Sequence, residues 1–95
     1  MTDTTAALHI LNKHPDHPRF GACLDAMAPG DILLLIENGV LALVETGLQL
    51  PEATHALKAD CDARGLGTQS RKGGKEVDYT GMITLTDRFS RLISW

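Results

Sequence analysis

Aromatic side chains are scarce in this 95-residue chain: Phe20, Tyr79, Phe89 and Trp95 are all it has. A protein that stacks nucleobases on an open platform needs more, so direct RNA binding through such a surface is not expected. Net charge is slight too. A value of −3 gives no general attraction to a polyanion or an anionic membrane. Cysteine is limited to Cys23 and Cys61 without a paired spacing, which excludes a disulfide framework and fits reduced thiols in a cytoplasmic protein. No apolar run approaches the length of a membrane span. Residues 1–6 are small and polar, lack the basic start and apolar centre of a secretion signal, and are expected to form a flexible tail ahead of one domain, residues 7–95. Metalloprotease, Ser-His-Asp and paired-acid patterns are missing, and no cofactor or metal is expected.

One strong organising stretch is present, Gly30-Asp31-Ile32-Leu33-Leu34-Leu35-Ile36-Glu37-Asn38-Gly39-Val40. Five consecutive aliphatic residues leave no polar face, as in a strand buried on both sides within a parallel sheet. Pro29-Gly30 stops the preceding element, and Asn38-Gly39 turns the chain at the far end. The carboxyl end of a central strand points into the crevice where ligands and partners meet such folds, so Glu37, Asn38 and Gly39 are expected near any working edge. Local chemistry leaves two readings of the next segment. Leu41-Ala42-Leu43-Val44 could return as the second arm of a hairpin, which pattern alone favours, or form a short helix capped by Asn38.

Ala6-Ala7-Leu8-His9-Ile10-Leu11-Asn12 reads as a first strand, with His9 a partner-satisfied side chain in or beside the sheet. Phe20, Cys23, Leu24 and Met27 recur at helical spacing, giving a first helix over residues 18–27 with Asp16 as its cap and Pro18 in its first turn. A third strand is expected over residues 53–57, and a polar helix over 60–64 stopped by Gly65. Residues 76–79 read as a short last strand, followed by a helix through Arg88 capped by Asp78 or Thr80 and buried through Met82, Ile83, Leu85 and Phe89. Strands alternating with helices in so short a chain give a three-layer α/β domain with about four mainly parallel strands.

Four features invite a chemical reading. Cys23 could carry sulfur as a persulfide, yet its place in the helix stripe fits packing better. Cys61 lies between Asp60 and Asp62, whose charge opposes thiolate formation. The His14-Pro15-Asp16-His17 run lacks the further ligands that a zinc site requires. The glycine-rich loop with Arg71, Lys72, Gly73, Gly74 and Lys75 fails the nucleotide test: no glycine stands five residues before Gly74, and Glu76 comes after Lys75 in place of Ser or Thr. It is expected to be a solvated loop, with contact to an acidic partner or RNA backbone as the alternative. Asp31 and Glu37 read as strand-end charges.

Taken together, four segments resemble the DsrH/TusB family, the smallest of three homologous subunits in bacterial sulfur-relay complexes. Leu8-His9-Ile10-Leu11-Asn12-Lys13-His14-Pro15 resembles its opening, with His14 where Ser is usual. The Gly30-to-Val40 stretch resembles its central strand and turn, usually written Asp-Gly-Val. Leu57-Lys58-Ala59-Asp60-Cys61-Asp62-Ala63-Arg64-Gly65-Leu66 resembles the segment ending Ala-Arg-Gly-Leu, with Cys61 where Leu is usual. Val77-Asp78-Tyr79-Thr80-Gly81-Met82, Leu85-Thr86 and the terminal Ser94-Trp95 resemble the closing signature. The resemblance implies a DsrE-like sandwich, which turns the Asn38-Gly39 expectation from hairpin to strand-then-helix. It implies assembly with DsrE/TusD-like and DsrF/TusC-like subunits into a heterohexamer that passes persulfide sulfur to a small DsrC/TusE-type carrier protein. The sulfur serves 2-thiouridine formation in tRNA or cytoplasmic sulfur oxidation. In the DsrE/TusD-type partner the sulfur-carrying cysteine aligns near Leu57, so this chain is expected to be an accessory sulfurtransferase subunit without activity of its own. Cys23 matches a first-helix cysteine of many DsrH-like members and stays a candidate carrier, the basis of an alternative in which the chain carries persulfide autonomously. Glu37, Asn38, Gly39 and Trp95 are the candidate partner-interface residues.

Overall fold

A computed structural model describes residues 6–67 and 73–95. Five strands form a single all-parallel sheet: β1 Ala7–Leu11, β2 Ile32–Leu35, β3 Thr54–Leu57, β4 Lys75–Val77 and β5 Arg91–Ser94. Their order is β4-β3-β2-β1-β5, so the aliphatic stretch supplies the middle strand. Leu33, Leu34 and Leu35 are fully buried, each contributing roughly 1.5–3 kcal/mol of apolar burial. The connections are α1 Pro18–Ala26, a 3-10 segment Glu37–Val44, α2 Lys58–Ala63 and α3 Tyr79–Arg88.

Handedness explains how these layers are divided. The steps β1 to β2, β2 to β3 and β3 to β4 all move one way across the sheet, so right-handed crossovers place their connections on one face. The step from β4 to β5 returns across the whole sheet, which puts α3 on the other. The two cores reflect this division. Leu11, Leu33, Leu35 and Ala56 meet Phe20 and Cys23 of α1, Val40, Ala42 and Leu43 of the 3-10 segment, and Cys61 of α2. On the opposite face Leu8 and Leu34 meet Leu85 of α3, with Ile10, Ile32, Ile36, Val77, Met82 and Phe89 packed around them.

The expected α/β sandwich is therefore present, with a fifth strand beyond the four. Arg91–Ser94 offers only Leu92 and Ile93 between polar residues and has no strand pattern of its own; its pairing with β1 is what makes it a strand. Strand-then-helix holds after β2, with two corrections of detail. Asn38 is not a cap: Ile36 precedes the 3-10 segment and makes no side-chain capping bond. The left-handed backbone that a hairpin turn would have assigned to Asn38-Gly39 falls on Glu37, at φ 49°. At α1 the cap is His17, whose Nδ1 accepts from the Arg19 N–H at 3.0 Å, and not Asp16. Helix α2 begins at Lys58, two residues before the expected Asp60, and is stopped just past Arg64 by Gly65 at φ 67°, as a left-handed terminator should. Asp78 caps α3 through a 2.7 Å bond from the Gly81 N–H. Arg71, Lys72 and residues 1–5 lie outside the described residues.

Candidate functional site

The carboxyl edge of the sheet carries an array of polar side chains tied mainly to one another. The Asn12 amide donates to Glu37 Oε1 at 3.2 Å, and Glu37's own N–H donates to Asp60 Oδ2 at 2.6 Å. Arg64 grips Asn38 Oδ1 through Nε and Nη2, both at 3.2 Å, and donates from Nη1 to the Asp60 carbonyl. Three connections are thereby joined: the end of β1, the start of the 3-10 segment, and α2. Glu37 and Asn38 stand exposed at this edge as expected, whereas Gly39 is buried against the end of β1. The array contains no thiol, hydroxyl or amine side chain, only carboxylates, amides and a guanidinium.

Further along the same edge is the switch point, where the connection after β3 goes to one face and that after β4 goes to the other. A crevice of about 170 Å³ opens there between Lys58, Ala59, Asp62, Asp78 and Tyr79. An adjoining hollow of about 350 Å³ is lined by Lys58, Glu76, Val77, Asp78 and Gly81. Lys58 is held to Asp62 at 2.7 Å, one helical turn on. Sequence reasoning did not single out Lys58, Asp62 or Tyr79, because the switch point exists only once the strand order is known. Leu57 directly precedes Lys58 and is buried.

A second constellation, buried, joins β1 to the last residue of the sequence. His9 Nε2 lies 2.8 Å from Asp31 Oδ2, and Trp95 Nε1 donates to His9 Nδ1 at 3.0 Å. The two rings stack with centroids 6.0 Å apart, and the Arg19 guanidinium sits 5.4 Å from the centre of the indole. Trp95 is thus half-buried and bonded within its own chain. Asp31 is no exposed strand-end charge. Burial pushes its carboxyl up, but bonds from the Ala7 N–H, His9 and the Ala28 N–H outweigh this and hold it below the ordinary carboxylate range. His9 is partner-satisfied, as expected from its position in β1.

Neither thiol faces solvent. Cys23 and Cys61 are both fully buried in the core beneath α1 and α2, and burial pushes the Cys23 thiol up to about 11. Among the described residues no three His, Cys, Asp or Glu side chains group as metal ligands, and no helix is long and apolar enough to cross a membrane. A wider hollow, about 600 Å³, lies between residues 47–52 and Gly73-Gly74, on largely apolar walls.

Comparison with known proteins finds relatives along nearly the whole chain. A family model described as "DsrH like protein" matches residues 15–92. The chain is 36% identical over 94 residues to Protein TusB of Salmonella dublin, covering 93% of this chain and 99% of that protein. Protein TusB of Salmonella arizonae and of Salmonella typhimurium match at the same identity and coverage.

Proposed function

The chain belongs to the DsrH/TusB family of sulfur-relay subunits, and from that premise we propose that it is the accessory, non-catalytic member of a cytoplasmic sulfurtransferase complex supporting 2-thiolation of the tRNA wobble uridine. The observation that carries the accessory role is the enclosure of Cys23. Persulfide transfer needs an accessible thiolate, since the thiolate attacks and is regenerated as sulfur moves on. Burial pushes this thiol up to about 11, so it is overwhelmingly protonated near neutral pH, and its side chain is fully buried. Leu57 and Lys58 occupy the edge where the homologous partner keeps its sulfur-carrying cysteine. This chain contributes binding surface there: the Asn12, Glu37, Asn38, Asp60 and Arg64 array, together with the crevice at Lys58. Its partners are DsrE/TusD-like and DsrF/TusC-like subunits, and the small carrier protein meets the assembly they form.

Co-expression with two such subunits tests the assembly, and a persulfide-transfer assay on the purified complex tests the role. The chain co-purifies with both, and Cys23→Ser retains most of the transfer rate. Complete loss of transfer in a folded Cys23→Ser complex would make Cys23 a carrier and overturn the accessory reading. The tRNA branch is favoured over sulfur oxidation by the likeness to proteins named TusB. Mass spectrometry of wobble uridines after deletion of the gene checks it: unchanged 2-thiouridine rejects that branch.

A further inference from the structure

We propose that His9, Asp31 and Trp95 form a proton-sensitive latch that holds the end of β5 on the sheet only while the His9 ring is neutral. The inference is independent of the sulfur-relay reading and rests on donor accounting in a buried site. An indole N–H can only donate, so His9 Nδ1, 3.0 Å from Trp95 Nε1, must present its lone pair. An ionised carboxylate can only accept, so Nε2, 2.8 Å from Asp31 Oδ2, carries the ring's single hydrogen. Asp31 is kept ionised by two further donors, the Ala7 N–H at 2.8 Å and the Ala28 N–H at 3.0 Å. The tautomer is therefore fixed from both sides.

A second proton has one place to go. It binds Nδ1, and there it meets the indole hydrogen head-on, so the Trp95 bond and the imidazolium exclude each other. His9 is not the partner that gives way. Its ring is 1% exposed, and its backbone lies in β1 between Leu33 of β2 and Ile93 of β5. Trp95 is the movable element. It follows β5, an edge strand with a single neighbour, and besides His9 it is held by its N–H to the Ile10 carbonyl at 2.9 Å, by Lys13 Nζ on its carbonyl at 2.7 Å, by the Arg19 guanidinium over the indole and by packing on the first-face core. The charged groups around the pair are Asp31 at Nε2, Arg19 over the indole and Lys13 on the Trp95 carbonyl. With the indole released, the first-face core beneath Trp95 is uncovered beside the end of β1, while residues 91–94 keep their pairing with that strand.

Trp95 is the chain's one tryptophan and reports the event directly. The full-length chain is titrated between about pH 8 and 5, the range in which histidine changes charge. On acidification the emission of Trp95 moves to longer wavelength and becomes more open to acrylamide quenching. The shift is lost in His9→Gln and kept when His14, His17 and His55 are replaced by Asn. Should a variant fail to fold, nitrogen NMR of the histidine rings in the unaltered chain decides the matter. Nδ1 of His9 is bare and Nε2 protonated at the alkaline end, and the His9 midpoint coincides with the Trp95 shift. Emission that stays constant while His9 takes up its proton, or a shift that survives in His9→Gln, overturns the latch.

Discussion

Gly39 lies so close to the Leu11 carbonyl that a β-carbon built on it would overlap the oxygen. The same carbonyl accepts the Ile36 N–H at 3.1 Å, and the Gly39 N–H returns to the Ile36 carbonyl at 2.8 Å. The first turn after β2 is thus pressed onto the end of β1, with Glu37 bent into a left-handed backbone between them. Glycine is required here for space.

Gly39→Ala should therefore displace that turn from Leu11 and cost about 1–3 kcal/mol, the usual penalty for forcing atoms into a packed core. A lower urea midpoint with an unchanged slope is the expected result. Asn38→Ala, one position away and exposed, loses only its bonds to Arg64 and should fall much less.

Removing the Asp31 carboxylate leaves the Ala7 and Ala28 N–H groups and His9 Nε2 without their acceptor. A buried donor left without a partner costs about 1–3 kcal/mol, so Asp31→Ala should destabilise by about 3 kcal/mol or more. Thermal denaturation of the two chains side by side measures it. The carboxyl is held below its ordinary range, so the stability it contributes is present above its unfolded pKa and is lost as pH falls through the lower folded value.

His55 gives stability a pH dependence in a different window. Burial first, then Lys75 and Arg88, lower its pKa, and among the described residues its Nδ1 has no hydrogen-bond partner. The unfolded chain binds that proton more readily than the folded one. Stability is therefore full above about pH 6.5, the ordinary histidine value, and declines as pH falls below it. Denaturant titrations at a series of pH values should show this slope, and His55→Gln should flatten it.

Both thiols are enclosed, so alkylation by iodoacetamide should wait on opening of the fold. Labelling under native conditions should be slow at Cys23 and Cys61 alike, and should rise along the unfolding curve as urea is added. Rapid native labelling of Cys23 would contradict its place in the core.

Some of this was open to reading along the chain. The Ile32-to-Ile36 run announces a strand buried on both faces because it is short, has no polar face and is bounded by Pro29-Gly30 and Asn38-Gly39. Asp78 and Gly65 act as the expected helix start and stop, since capping depends on neighbours within a few residues. Asn38-Gly39 misleads for the same local reason. Hairpin chemistry is a preference of the dipeptide, and it yields when both sides of β2 are already taken by parallel partners. Glu37, Asn38 and Gly39 were placed at the carboxyl edge, but which of them meets solvent was decided by the Leu11 carbonyl.

By itself, then, the sequence determined the alternation of strands and helices, the central strand and the family, because periodicity, capping and motif order are all local or linear. Tertiary structure decided the rest. Strand order and right-handed crossover sent α3 alone to the second face and created the crevice at Lys58. Parallel pairing turned Arg91–Ser94 into β5. The contact of Trp95 with His9, and of His9 with Asp31, joins residues 86 and 22 positions apart. No local pattern encodes that meeting; it arises only from laying β2 and β5 on either side of β1.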